Sequence, residues 1–347
     1  MDNIFIECFG GIEDSRIERT KKHLLIDVIA LTLFGVMAGA QTFDEIEEFG
    51  LGHEEWLKKY LQLPNGIPSH DTINRVLSLL EPEVLQKSFI DWISKVKGYV
   101  NENVVAIDGK TIKASHRNSK GLKALHILNA YSCANGLSIG QMKVDGKTNE
   151  IAVIPELLEQ LALEGAIVTI DAMGCQKELY EPIVDTFRLS NDIKPECYDS
   201  EINGDHGRIE SRRIEALPVS LIDNQLDLNK WANIQSIVKV AYTNHTVNTV
   251  ENRYFISTLP YKEVQRIANS IRSHWQIENN LHWVLDVVFR EDESRIRDER
   301  TAQNFSWFRK MALSLLAKDG TKLSNKRKML RNCINPENII NSLRRGV

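Results

Sequence analysis

The spacing of apolar residues changes period once along the chain, near residue 100. Before that point the apolar groups recur at helical intervals. Leu24, Leu25, Val28, Ile29, Leu31 and Leu33 make a dense apolar helix. Phe43, Ile46 and Phe49, then Trp56, Leu57, Tyr60 and Leu61, continue the rhythm. Pro64-Asn65-Gly66 and Pro68 punctuate a turn, after which Ser69 or Asp71 can cap a helix carrying Ile73, Val76, Leu77 and Leu80 that ends before Pro82. One more helix covers Val84 to Val96, so residues 1–98 are expected as an all-helical N-terminal domain.

Strand signals take over beyond it. Val104 to Ile107 is a short apolar run that stops at Asp108-Gly109. Ala124 to Ser132 alternates, Ala134-Asn135-Gly136 is a hairpin turn, and Leu137 to Val144 returns. An amphipathic helix from Ile151 to Leu163 leads to an apolar strand, Ala166 to Ile170, that stops at Asp171, and Gln176 to Thr186 is helical again. Trp231 to Ala241 and Tyr254 to Leu259 are further strand candidates. A long helix runs from about Tyr261 to Phe289, and another covers Ala302 to Ala317. This order predicts an α/β layer fold with a mixed sheet.

Composition adds limits. A chain of 347 residues with 42% hydrophobic and 26% charged residues is an ordinary globular protein with room for about two domains, which excludes a disordered or fibrous class. Its net charge of −4 argues against nucleic acid only as an average. From Arg300 onward 11 Lys/Arg face 2 Asp/Glu, so a basic C-terminal tail (321–347) is expected on an acidic body. The five cysteines are scattered without a C-x-x-C pair, which fits a reducing cytosol and no zinc site. Val28 to Ala40 is shorter than the roughly 20 apolar residues that cross a bilayer, and no secretory signal is readable. A cytoplasmic protein without a membrane partner is the expectation.

The chemistry is suggested by acids. Asp108 and Asp171 each close an apolar strand, where open α/β sheets place ligands, and small residues follow both. Either could instead begin a turn or cap a helix. In SHWQIENNLHWVLDVVFRED, an apolar stripe of Ile277, Leu281, Val284, Leu285 and Val288 has Glu278, His282 and Asp286 beside it, four residues apart on one face. Carboxylates at such a boundary need a cation, either a structural ion-pair partner or a metal. Three carboxylates without cysteine suit Mg²⁺ or Mn²⁺, and two such ions roughly 4 Å apart support phosphodiester hydrolysis and strand transfer. A metal-dependent hydrolase of a small phosphate substrate is the rival reading; it leaves the basic C-terminal segment unexplained.

Several segments together resemble the DDE insertion-sequence transposases of the H-repeat-associated (ISAs) type. They are AIDGKTIKAS, ALHILNAYS, GQMKVDGKTNEIAVIPELLEQL, VTIDAMGCQKEL, GDHGRIESRR, YFISTL, IRSHWQIENNLHWVLDVVFREDESRIR and NFSWFRKMALSLL. ERTKKHLLIDVIALTLFGVMAGAQTFDEIEEFG and NGIPSHDTINRVLSLLEP are similar to the helical domain that precedes the catalytic core in that group. The resemblance covers nearly the whole chain. It implies a ribonuclease-H-like core over residues 99–320 with a β-rich insertion. It also implies catalysis by Asp108, Asp171 and Glu278, which would hold two Mg²⁺ or Mn²⁺ ions. Double-stranded DNA, as element ends and target, is the implied partner, acted on by a homo-oligomer at the nucleoid.

Where the family continues with a strand and a Lys-Gly-Asn-Gln loop after the helix ending near residue 186, this chain has FRLSNDIKPECYDSEINGDHGRIESRR, without an apolar run of four. The expectation is a deleted strand and a catalytically weak or dead copy, so that a DNA-binding remnant that does not cut stands as the alternative to an active transposase. Candidate phosphate contacts are Lys110, two residues past Asp108; Arg208 and Arg212 in the basic turn around His206; and Arg295 and Arg297. For each of these a solvated or ion-paired role stays open, with Glu291 and Glu293 as partners for the last two. Trp275, Trp283 and Trp307 are expected in the core. The N-terminal domain carries 10 basic and 16 acidic residues, so protein contact is as plausible there as DNA contact.

Overall fold

The computed structural model describes residues 3–95, 104–116, 123–145, 149–161, 163–171, 177–189, 194–203, 209–222 and 233–345. It begins with helices α1 (Asn3–Phe9), α2 (Leu25–Met37), α3 (Phe43–Gly52), α4 (Glu54–Leu57), α5 (His70–Leu79) and α6 (Pro82–Ser94). A helix that is apolar all round is stable only when surrounded. α2 meets that condition, with Val28 through Met37 all buried. Ser69 stands at the N-cap of α5, and Pro82 opens α6, where its missing N–H is no loss.

Strands β1 (Val104–Ile112), β2 (Leu125–Ser132) and β3 (Leu137–Val144) form an antiparallel meander, with Gly136 in the left-handed region at the second turn. Helix α7 (Glu150–Glu159), capped by the Asn149 side chain, leads to β4 (Ile167–Ile170). The order is β3-β2-β1-β4, four strands among the described residues. One expectation changes: β1 does not stop at Asp108. Its pairing with β2 runs from Val105 to Ile112, which puts Asp108 in mid-strand. The apolar run ends there, but the backbone ladder does not, because backbone pairing is indifferent to side-chain polarity.

The chain divides into two compact units, Met1–Val168 with Gln276–Val347, and Thr169–Trp275. The second contains α8 (Lys177–Leu189), an antiparallel sheet of β5 (Glu196–Asn203), β6 (Ile209–Pro218), β7 (Ser236–Asn244) and β8 (Thr249–Ser257), and α9 (Val264–Gln276). α9 lays Val264, Ile267 and Ala268 against Ile214, Ala216, Val238 and Val240. On a separate cluster Ile183 and Phe187 of α8 meet Leu217, Ile237 and Ile256. The polar stretch read as lacking strands thus supplies β5 and β6. Their pairing includes charges placed directly opposite, Asp199 with Arg213 (3.2 Å) and Glu215 with Lys239 (2.9 Å).

The helical path re-enters the first unit through a π-helical turn, Ile277–His282, followed by α10 (Trp283–Val287). Helix α11 (Glu299–Ala317) is buried at every position from Asn304 through Leu316 and packs on α2, α5, α6 and β3. The segment expected as a basic tail folds instead into α12 (Asn325–Ile334) and α13 (Glu337–Arg345). Met329, Ile339, Ile340 and Leu343 join the main core, and Glu337 accepts from the Trp56 indole and the Tyr60 hydroxyl, both at 2.9 Å. Among the described residues no helix is long and apolar enough to cross a membrane.

Candidate active site

Alternation along β1 sends Asp108 and Lys110 to one face of the sheet and Gly109 and Thr111 to the other. The first face meets the π turn and α10. The His282 ring Nδ1 lies 3.3 Å from Asp108 Oδ2, while Asp108 Oδ1 accepts from the Gly109 backbone N–H at 2.9 Å. Glu278 belongs to the same π turn, four residues before His282, and is half-buried. The fold therefore sets the helix of one predicted acid against the strand of another. π turns inside helices are frequent at functional sites, where the extra residue re-aims the side chains around it.

On the opposite face, His126 bridges the Thr111 hydroxyl and the Glu150 carboxylate, each at 2.7 Å. A Cβ on Gly109 would come within 2.2 Å of Glu150 Oε1 and 2.8 Å of His126 Nε2, so this bridge fits only because position 109 has no side chain.

Below Asp108 lies a buried ionic cluster that the sequence pattern did not reveal. The Lys110 ammonium reaches Asp286 (2.6 Å), Asp292 (3.3 Å) and Glu291 (3.5 Å). Glu291 is 1% exposed, accepts from the Ser306 hydroxyl at 2.7 Å, and has the Arg309 guanidinium at 3.9 Å. Burial alone would raise the pKa of Glu291, but the charges of Lys110, Lys310 and Arg309 outweigh it and hold the carboxyl below its ordinary value. Burial likewise opposes the charge on Lys110, and its three carboxylates overcome it, so Lys110 stays raised. Lys310 goes the other way. Burial takes its ammonium down to about 7, with Glu291 only partly offsetting the loss of water, and Gln141 Oε1 accepts from it at 2.5 Å.

The remaining candidates fall in several places. Asp171 directly follows β4 at the start of the second unit and is exposed. Arg297 donates to the carbonyls of Ala114 (2.6 Å) and His116, Arg295 is exposed, and Glu293 pairs with Arg290. Arg212 pairs with Glu210 at 3.3 Å and lies over the Tyr242 ring; Arg208 falls outside the described residues. Trp307 is buried, whereas Trp283 is 59% exposed and Trp275 lies beneath Arg253. Among the described residues no three His, Cys, Asp or Glu side chains stand together as a metal site. Asn129 was the residue hardest to single out: only the register of β1 on β2 brings it opposite Asp108.

Comparison with known proteins defines the class. The transposase DDE domain matches residues 99–315, and its associated N-terminal domain matches residues 6–93. The chain belongs to the DDE transposase family. It is 35% identical over 373 residues to the "H repeat-associated putative transposase YhhI" of Escherichia coli (strain K12), covering 98% of this chain and 97% of that one. It is also 35% identical over 368 residues to the "Putative transposase YncI" of Escherichia coli O157:H7, covering 94% and 92%. A 56-residue stretch is 48% identical to the "Inactive transposase YbfQ" of Escherichia coli (strain K12), covering 16% of this chain and 67% of that one.

Proposed function

We propose that this chain is a DNA transposase that cuts phosphodiester bonds at the ends of its element and joins the freed 3′-ends to target DNA, with Asp108, Asp171 and Glu278 as its catalytic acids. The observation that carries the reading is the seating of the Glu278 turn on the Asp108 strand, within a chain matched by the DDE domain over residues 99–315. Oxygen donors without sulfur are the set that Mg²⁺ or Mn²⁺ takes, so the donor chemistry fits two such ions held by the three acids. When bound, the ions would supply charge for activating a hydroxyl and stabilising the leaving oxygen. The protein's own residues provide a rigid sheet under Asp108, a helix fixed against it, and an ionic cluster that keeps Lys110 away from the metal-binding acids. A nucleophilic water and then a terminal 3′-hydroxyl suffice, without a covalent protein–DNA intermediate. Double-stranded DNA is the partner, and the active species is a homo-oligomer on paired ends.

A second reading, a DNA-binding remnant that no longer cuts, is favoured by two observations. The sheet carrying Asp108 has four strands among the described residues. The alignment with YhhI spans 373 positions, whereas 98% of this 347-residue chain fills about 340 of them, so the relative is longer internally. One assay separates the two. Purified protein is incubated with Mg²⁺ and labelled DNA carrying the inverted repeats that flank its gene. Cleavage and strand transfer that Asp108→Asn, Asp171→Asn and Glu278→Gln each abolish, with DNA binding retained, support the first reading. Salt-sensitive binding with no cleavage by the unaltered protein supports the second.

A further inference from the structure

We propose that His282, held by Asn129, is a positioning residue that fixes the Asp108 carboxylate for metal binding; this deepens the proposed function and rests on Asp108 being a metal ligand. The argument begins at Asn129. It faces Asp108 across the β1–β2 ladder and is 1% exposed. Its amide nitrogen lies 3.2 Å from the Ile127 carbonyl and 3.3 Å from His282 Nε2. Only an N–H can face that carbonyl, so Ile127 settles which way the amide points, and turning it would set two oxygens against each other. The second amide hydrogen is then directed at Nε2, which must accept it. An imidazole that accepts at Nε2 carries its proton at Nδ1, the atom 3.3 Å from Asp108 Oδ2.

A directed chain results, from the Ile127 carbonyl through the Asn129 amide and the His282 ring to the Asp108 carboxylate. The Gly109 N–H occupies Oδ1, and the imidazole Nδ1 stands 3.3 Å from Oδ2, so each Asp108 oxygen has a nitrogen beside it that limits how the carboxylate can turn. A carboxylate has about four lone-pair sites, so two donations leave the others available to a cation. His282 also shares the π turn with Glu278, so the same contact that orients Asp108 holds the Glu278 turn in place. Partners of this kind orient metal-binding side chains, and removing one typically costs about 10- to 100-fold in metal affinity.

The test is Mn²⁺ affinity of the full-length protein, measured by calorimetric titration and by the electron paramagnetic resonance signal of free Mn²⁺, at one fixed pH and without DNA. His282→Ala is expected to weaken binding by about 10- to 100-fold. An asparagine amide can put its N–H where the imidazole Nδ1–H was, so His282→Asn should recover most of the loss. His282→Gln, which mimics the far nitrogen, should not. Asn129→Leu, which keeps the buried volume but removes the donor, should weaken binding as well, and it carries the test should His282→Ala fail to fold. Wild-type affinity in His282→Ala, or equal losses in His282→Asn and His282→Gln, would overturn the proposal. Asp108→Asn is measured alongside: if it binds Mn²⁺ as the wild type does, the assignment of Asp108 as a ligand is what fails.

Discussion

Lys310 shows how burial, reinforced by the neighbouring charges of Lys110 and Arg309, can make a residue titrate near neutrality. Its folded-state pKa is lowered to about 7, while the unfolded chain keeps the proton to the ordinary value of 10.5. Between those values the unfolded state binds more protons, so stability rises with pH across that window. Below about pH 7 both states are protonated, and the full cost of the buried ammonium remains. Lys310→Met removes the titration. Its melting temperature relative to wild type should therefore fall from pH 6 to pH 9, read by differential scanning calorimetry; parallel curves would refute the assignment. Glu291 is the complement, one buried carboxylate among Lys110, Arg309 and Lys310. Glu291→Gln leaves the buried Arg309 and Lys310 without that counter-charge, while Lys110 keeps Asp286 and Asp292, and should cost about 3–5 kcal/mol in urea unfolding.

At the scale of elements, α11 depends on its first turn. Asp298 accepts from the Thr301 backbone N–H (2.8 Å) and the Thr301 hydroxyl (2.6 Å), so Asp298→Ala should lower stability by about 1 kcal/mol in the same measurement. The helices were the part of the fold most legible in the sequence, since α2, α5 and α11 bury stripes or whole surfaces that a 3.6-residue period makes visible. The β2–β3 hairpin was legible for a similar reason, with alternation on both sides of Asn135-Gly136. β5 and β6 were not, because cross-strand charge pairs such as Asp199 with Arg213 stabilise a sheet without leaving an apolar run. Asp108, Asp171 and Glu278 were proposed from pattern and resemblance. The contact of His282 with Asp108 depends on strand register and on a π turn, and neither is encoded in local periodicity.

For the molecule as a whole, the first unit is assembled from both ends of the chain. Asn332 donates to the Met37 carbonyl at 3.0 Å and Lys328 to Leu316 at 2.7 Å, so α12 and α13 are structural parts of it. Deleting residues 321–347 removes four buried apolar side chains as well as the Glu337 contacts. It should cost more than the roughly 2–5 kcal/mol of a single large core cavity, seen as a lowered and broadened melt by circular dichroism. A melt unchanged by the truncation would mean that the C-terminal helices dock without supporting the core.

That two-ended construction imposes an order of events during synthesis. The ribosome releases the helical N-terminal segment first, then β1 to β4, then all of the Thr169–Trp275 unit, and only afterwards α11 to α13. The inserted unit has its own sheet and helices and can fold while translation continues, as domains generally do. The unit bearing Asp108 and Glu278 has no such freedom, because the side of α2 that packs on α11 and α12 stays uncovered until those late helices emerge. A polypeptide stopped early would expose that apolar helix and become a substrate for proteases or chaperones. Emergence of α11 to α13 is thus the step that licenses the first unit to fold, and copies that lack those helices should not accumulate.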